Sequence, residues 1–193
     1  MKKLLIILCS LLLVSCKADQ TVNYTYDIVS SDVDMSSYPG VTSVNHCFKQ
    51  IIPDELFKCV ENNSSGVFVL SYETCPYCRQ LIRYLNQAGL DNGVTIYYID
   101  AMDPKHKYVK DSDQYQKTLE LLYDYTDSDD EGEKCLWTPT VFSIINGKVS
   151  GFQISTSFDL NGNMYWTFDN PTEDQINKLL KTYNKILKPF ANK

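Results

Sequence analysis

The stretch GVFVLSYETCPYCRQLI, residues 66–82, decides the fold. Its first half is a short, unbroken apolar run after a glycine, which predicts a fully buried strand. Its second half changes period. Leu81, Ile82 and Leu85 recur at helical spacing until Gly89, where a helix is expected to stop. At the junction stand Cys75 and Cys78, with Pro76 and Tyr77 between them. Proline is tolerated in the first turn of a helix, because its missing N–H has no helical partner there. The reading is therefore a buried strand that runs into a helix opened by two cysteines one turn apart.

Similar units lie on either side. PDELFKCVENN, from Pro53, predicts a short helix with proline in its first turn and two acids near its positive end. VTIYYID (94–100) predicts a strand, and residues 112–125 a helix with Tyr115, Leu119 and Leu122 on one face. After an acidic loop, TVFSII (140–145) predicts a strand. Asn146-Gly147 is a two-residue hairpin signal, and KVSGFQIS is the returning partner. DLNGN suggests a further turn and MYWTF a further strand. The last helix is expected to start at Thr172 with Gln175 completing a capping box, and to present Ile176, Leu179, Leu180, Tyr183 and Leu187 on its apolar face. Helices interleaved with strands imply an α/β protein layered around a central sheet.

The ends and the charge set the surroundings. Residues 1–15 have a positive start, Met1-Lys2-Lys3, and an apolar run too short to span a bilayer comfortably, which predicts a secretory signal. LVSC, ending at Cys16, resembles a bacterial lipobox. That resemblance implies cleavage before Cys16, a diacylglyceryl group on its thiol, and a location on the extracytoplasmic face of the cell membrane. Loss of Lys2 and Lys3 would take the net charge from −6 to −8. An acidic chain argues against nucleic acid as a partner, since phosphate binding needs a basic stripe. Residues 16–43 are polar and read as a lipidated, flexible tether, leaving 44–193 as the domain.

Five cysteines remain in that domain region: Cys47, Cys59, Cys75, Cys78 and Cys135. An extracytoplasmic setting permits disulfides, and an odd number leaves at least one thiol out of any intrachain pairing. Cys47 and Cys59 are one possible structural pair, and Cys135 is a free thiol or a partner for Cys47. Cys75 and Cys78 admit three readings: a redox centre, a structural disulfide, or half a zinc site. Zinc takes about four ligands. There is no second C-x-x-C and there are only two histidines, His46 and His106, both isolated. No metal or organic cofactor is expected. In the acidic loop, Asp127, Asp129, Glu131 and Gly132 match the first half of an EF-hand, but its twelfth position is Thr138 rather than glutamate, so a solvated loop is expected, with a bound cation or docking of a basic partner as the alternative.

The redox reading has a physical basis. A thiol at a helix N-terminus meets free N–H groups and the positive end of the dipole, which favour the thiolate that attacks disulfides. Cys75 holds that place, and Cys78 lies one turn deeper, within reach to resolve a mixed disulfide.

With WTPTVFSIINGKVSG about sixty residues on, the chain resembles the thioredoxin superfamily over roughly residues 50–188. The resemblance implies a thioredoxin-like fold: a central mixed sheet flanked by helices, with a hairpin before the C-terminal helix. It also implies a cis peptide bond before Pro139, with Thr138 beside the cysteine pair and Pro76, Tyr77, Thr138 and Pro139 forming the surface that substrate meets. The implied activity is thiol–disulfide exchange with protein thiols or disulfides outside the cytoplasm, with a membrane or extracytoplasmic redox partner. Departures are visible. Thr74 and Val69 stand where thioredoxins carry tryptophan and a buried carboxylate, and the glycine pair of a glutaredoxin glutathione site is missing after the hairpin. Among secreted relatives, the chain looks most like bacteriocin-transport accessory proteins. The competing class is a binding or export-accessory module of the same fold, in which the cysteine pair is ancillary.

Overall fold

The computed structural model describes residues 21–103, 105, 110, 112–154 and 171–191. The signal region, Cys16, His106 and the turn and strand expected at DLNGN and MYWTF lie outside the described residues.

Chain order is β1 (Phe48–Gln50), α1 (Pro53–Glu61), β2 (Gly66–Ser71), α2 (Pro76–Asn92), β3 (Ile96–Asp100), α3 (Asp113–Leu122), β4 (Thr140–Ile145), β5 (Lys148–Ile154) and α4 (Glu173–Leu187), closed by a 3-10 turn at Lys188–Phe190. The strands form one sheet in the order β1-β3-β2-β4-β5. β1 and β2 run parallel to β3, while β4 runs antiparallel to β2 and β5 antiparallel to β4. This is the expected α/β, thioredoxin-like arrangement, a mixed sheet flanked by helices.

Strand β2 shows why. It is central, so both its faces must be apolar, and all six of its residues are buried. Val67 and Val69 face one layer with Leu81, Ile82 and Leu85 of α2 and Leu179 and Tyr183 of α4. Phe68 and Leu70 face the other, with Leu56 and Cys59 of α1 and Leu122 of α3. The period-2 alternation of one strand thus feeds two cores.

Several boundaries differ from expectation. Helix α2 continues through Gly89 to Asn92, and Gly93 ends it in a left-handed conformation at φ 63°. Gly89 serves packing instead: a Cβ there would lie 2.3 Å from Cys47 Sγ. At the hairpin, Asn146 and Gly147 have φ of 53° and 77°, as a two-residue turn with both φ positive requires. The capping box at Thr172 and Gln175 is present. Three-residue β1 carries too short a pattern to be read from sequence.

The segment before β1 is the largest correction. Among its described residues it is a strap laid on the domain, where a flexible tether was expected. The Asn23 N–H donates to Asn146 Oδ1 at 3.1 Å, and Tyr26 Oη and the Val29 N–H donate to Glu55 Oε2 at 2.7 and 2.9 Å. Ser31 pairs with Gln50 on the free edge of β1. Met35, Tyr38 and Val41 are buried in the α2 core. They stand three residues apart, but two serines, Pro39 and Gly40 fill the gaps and forbid a regular helix, so composition alone read the segment as solvated.

Cys47 and Cys59 are also corrected as a pair. Both are free thiols, Cys47 packing in the α2 layer and Cys59 buried in the α1 layer, so the sheet stands between them. Burial pushes both thiols up to about 12. Among the described residues, no helix is long and apolar enough to cross a membrane.

Candidate active site

The C-terminal end of β2 delivers the chain to the N-terminus of α2, where Cys75 is the N-cap and Pro76 opens the helix. The cap is made by sulfur. The Cys78 N–H donates to Cys75 Sγ at 3.2 Å, using a donor that the helix leaves unpaired. From the start of β4, the cis Thr138–Pro139 bond brings Thr138 alongside. The Thr138 hydroxyl donates to Cys75 Sγ at 3.6 Å, and the Cys75 thiol in turn reaches the Thr138 carbonyl at 3.6 Å. Both cysteines are free thiols. Cys75 is 2% exposed and Cys78 0%, so both are buried, Cys75 a little less than Cys78.

The two thiols are pulled apart in acidity. Hydrogen bonds from the Cys78 side chain and backbone, from the Thr138 side chain and from the Tyr77 N–H outweigh burial and bring Cys75 down to about 6. Burial and the neighbouring Cys75 sulfur push Cys78 well above the ordinary thiol range. One thiol is therefore ready as a nucleophile near neutral pH, and the other holds its proton.

A pH dependence follows. Alkylation of Cys75 by iodoacetamide, read by peptide mass spectrometry, should rise through a midpoint about pH 6 and level off at neutral pH. A midpoint in the ordinary thiol range, about 8.5, would contradict it. The sign for stability is that of a depressed group. The Cys75 contribution is fully present above the unfolded thiol pKa and is lost as pH falls through about 6. The melting temperature of the reduced chain, measured against Cys75→Ser, should fall across that window.

The other expected residues divide. Thr138 touches Cys75, buried Pro139 shapes the turn, and Pro76 and Tyr77 lie in the first turn of α2. Arg79 donates to the Ser37 carbonyl at 2.8 Å and so ties α2 to the strap. Cys135 lies apart, near Asp127, half-buried. In the acidic loop, Asp129 Oδ1 accepts from the Glu133 N–H at 2.9 Å and its Oδ2 lies 3.5 Å from Lys110 Nζ, so its carboxylate is engaged by one loop N–H and one lysine from before α3. Among the described residues, no group of three or more His, Cys, Asp or Glu is disposed to hold a metal ion.

Sequence reasoning missed Ser71, Tyr38 and Tyr98, which lie behind the cysteines. Ser71 had a signal: it follows Val67 and Val69 on one face of β2, a polar residue at the end of a buried strand. Tyr98 is one of several aromatics in β3, and Tyr38 was read as tether.

No family model and no curated protein sequence matches the chain. Solved structures do. A proposed oxidoreductase with a thioredoxin fold is similar at 13% identity and a TM-score of 0.43, covering 60% of this chain and 89% of that one. Oxidized thioredoxin O2 of Arabidopsis thaliana is similar at 14% identity and a TM-score of 0.37, covering 57% and 84%. Thioredoxin O1 of the same plant, also oxidized, is similar at 15% and 0.37, covering 59% and 88%. Likeness at this level says nothing about activity, which has to be argued from the cysteine pair.

Proposed function

We propose that the chain is a thiol–disulfide oxidoreductase acting on protein thiols or disulfides outside the cytoplasm, held to the membrane through lipid on Cys16. One observation carries the redox part: the Cys75 sulfur caps a helix, accepts the Cys78 N–H at 3.2 Å and lies against Thr138. In the exchange, Cys75 thiolate attacks a substrate disulfide, forming a Cys75–substrate bond and releasing one substrate sulfur as thiolate. Cys78 then attacks Cys75 Sγ, closing the 75–78 disulfide and releasing the second substrate thiolate. Two electrons pass from the dithiol to the substrate, and the reverse sequence oxidises substrate thiols. No organic cofactor enters this cycle.

The full-length chain, mixed with a disulfide-bonded peptide, should convert Cys75 and Cys78 to an intramolecular disulfide while the peptide gains two thiols. Mass spectrometry reads both. A pair that stays unchanged while the peptide binds would favour the export-accessory module. The anchor rests on LVSC and the apolar run before it. Protein purified from its native membrane should lack residues 1–15 and carry a diacylated Cys16, and a native N-terminus at Met1 would count against it.

A further inference from the structure

Resolution by Cys78 poses a proton problem. Its thiol is fully buried, and it must lose the proton before its sulfur can attack. Val69, which packs with both cysteines, is apolar and offers no base. Two side chains act on the Cys78 thiol, the Cys75 sulfur and the Ser71 hydroxyl, and once Cys75 is tied to substrate Ser71, two residues further along the same face of β2, is the one with a hydroxyl that can take the proton.

Ser71 does not stand alone. Its Oγ lies 3.0 Å from Tyr38 Oη, and Tyr38 Oη lies 3.0 Å from Tyr98 Oη. In each pair either oxygen can donate, so the row can point outward or inward. Three elements supply it: β2, the strap and β3. The two rings meet edge-on at 6.3 Å, which fixes the hydroxyls relative to each other. At its outer end the row borders an open cleft of about 360 Å³, lined in part by Tyr38, Tyr98, Gln50, Tyr72, Asp100 and Met102. Asp34, Glu73 and Asp100 are the carboxylates lining that cleft, and Asp100 is the one that acts on both tyrosines. Burial raises its carboxyl, and its charge reaches both tyrosines.

We propose that Ser71, Tyr38 and Tyr98 form a hydroxyl relay that carries the Cys78 proton out to the cleft beside Asp100. The relay rests on the redox reading of the cysteine pair and adds residues to it. Cys78 S–H gives its proton to Ser71 Oγ as Ser71 gives its own to Tyr38, Tyr38 to Tyr98, and Tyr98 to water or Asp100 in the cleft. No hydroxyl is left charged, which suits tyrosines whose burial disfavours the phenolate. The Cys78 electron pair so freed forms the bond to Cys75 Sγ. The Cys75–substrate bond breaks, and the substrate leaves as a thiolate that takes a proton from solvent. In the reverse direction the same row returns a proton to Cys78. The plainer alternative is three buried hydroxyls that only satisfy one another. It accounts for the bonds but not for their ending on a thiol at one side and an open cleft at the other.

The experiment separates the two sulfur steps. Full-length chain is loaded with thionitrobenzoate on Cys75 at acidic pH, where the other described cysteines stay protonated. Release of thionitrobenzoate then reports the attack by Cys78. Tyr38→Phe and Ser71→Ala should slow release at least about 10-fold, within the range of positioned proton transfer, and change the solvent isotope effect. Ser71→Thr, which keeps a hydroxyl, should restore it. Should Tyr38→Phe fold poorly, Tyr98→Phe removes only the outer link and should slow release as well. A purely structural role would lower the melting temperature and leave the isotope effect as in the parent. Release at the parental rate in Tyr38→Phe and Ser71→Ala, or slow release with an unchanged isotope effect, overturns the relay and leaves the redox reading standing. A parent chain that never releases thionitrobenzoate overturns both.

Discussion

Full-length chain carrying Cys78→Ala is expected to accumulate mixed disulfides with its partners, whereas Cys75→Ala accumulates almost none. The asymmetry follows from the two environments. Cys75 receives the free N–H of the helix and the Thr138 hydroxyl, and its thiolate is favoured near neutral pH. Cys78 is sealed behind it with its thiol pushed up by burial. Removing Cys78 leaves attack possible and blocks release. Removing Cys75 takes away the nucleophile, and the remaining thiol is both buried and protonated. Turnover should fall on the order of 10³-fold or more in either variant, as is usual when one member of a cooperating unit is deleted. Non-reducing electrophoresis of each variant expressed in its native cells, with mass spectrometry of any joined species, reads the result. More trapped partner in Cys75→Ala than in Cys78→Ala would reverse the roles.

Phe68→Ala should cost about 3–5 kcal/mol, the usual range for emptying a buried aromatic site. Phe68 is 0% exposed on the central strand, stacked on Phe142 of β4 at 5.5 Å and tilted against Tyr97 of β3 at 5.6 Å. It therefore joins the three middle strands of the sheet on the face away from the cysteines. A loss of that size is a large part of the stability of an ordinary domain, about 5–15 kcal/mol. Urea unfolding of the reduced chain gives the number, and a cost below about 1 kcal/mol would mean that this layer is not packed as described. Because Phe68 lies on the opposite face of β2, the low midpoint for Cys75 alkylation should survive in whatever fraction remains folded.

Much of this was legible in residues 66–82. The switch from an unbroken apolar run to helical spacing fixes a strand-to-helix junction, and cysteine at that junction acquires its chemistry from the helix end. The Asn146-Gly147 turn and the Thr172 capping box were equally plain, because each depends on a few neighbouring residues. What could not be read depends on distant contacts. Tyr38 earns its place only by meeting Ser71 and Tyr98, 33 and 60 residues away. The strap holds to the domain partly through Glu55, a carboxylate that sequence alone assigns to the surface of α1. Cys47 and Cys59 looked pairable until the sheet came between them. Gly89 looked like a helix stop and instead makes room for Cys47 Sγ.

The most direct test of the redox centre is a redox titration of the full-length chain against mixtures of reduced and oxidised glutathione, with the thiols trapped by alkylation and located by mass spectrometry. Cys75 and Cys78 should convert together as a two-electron couple, tenfold in their ratio for about every 30 mV, while Cys47 and Cys59 stay reduced throughout. A 75–78 pair that keeps one state across the whole series, or a transition carried by other cysteines, would contradict it.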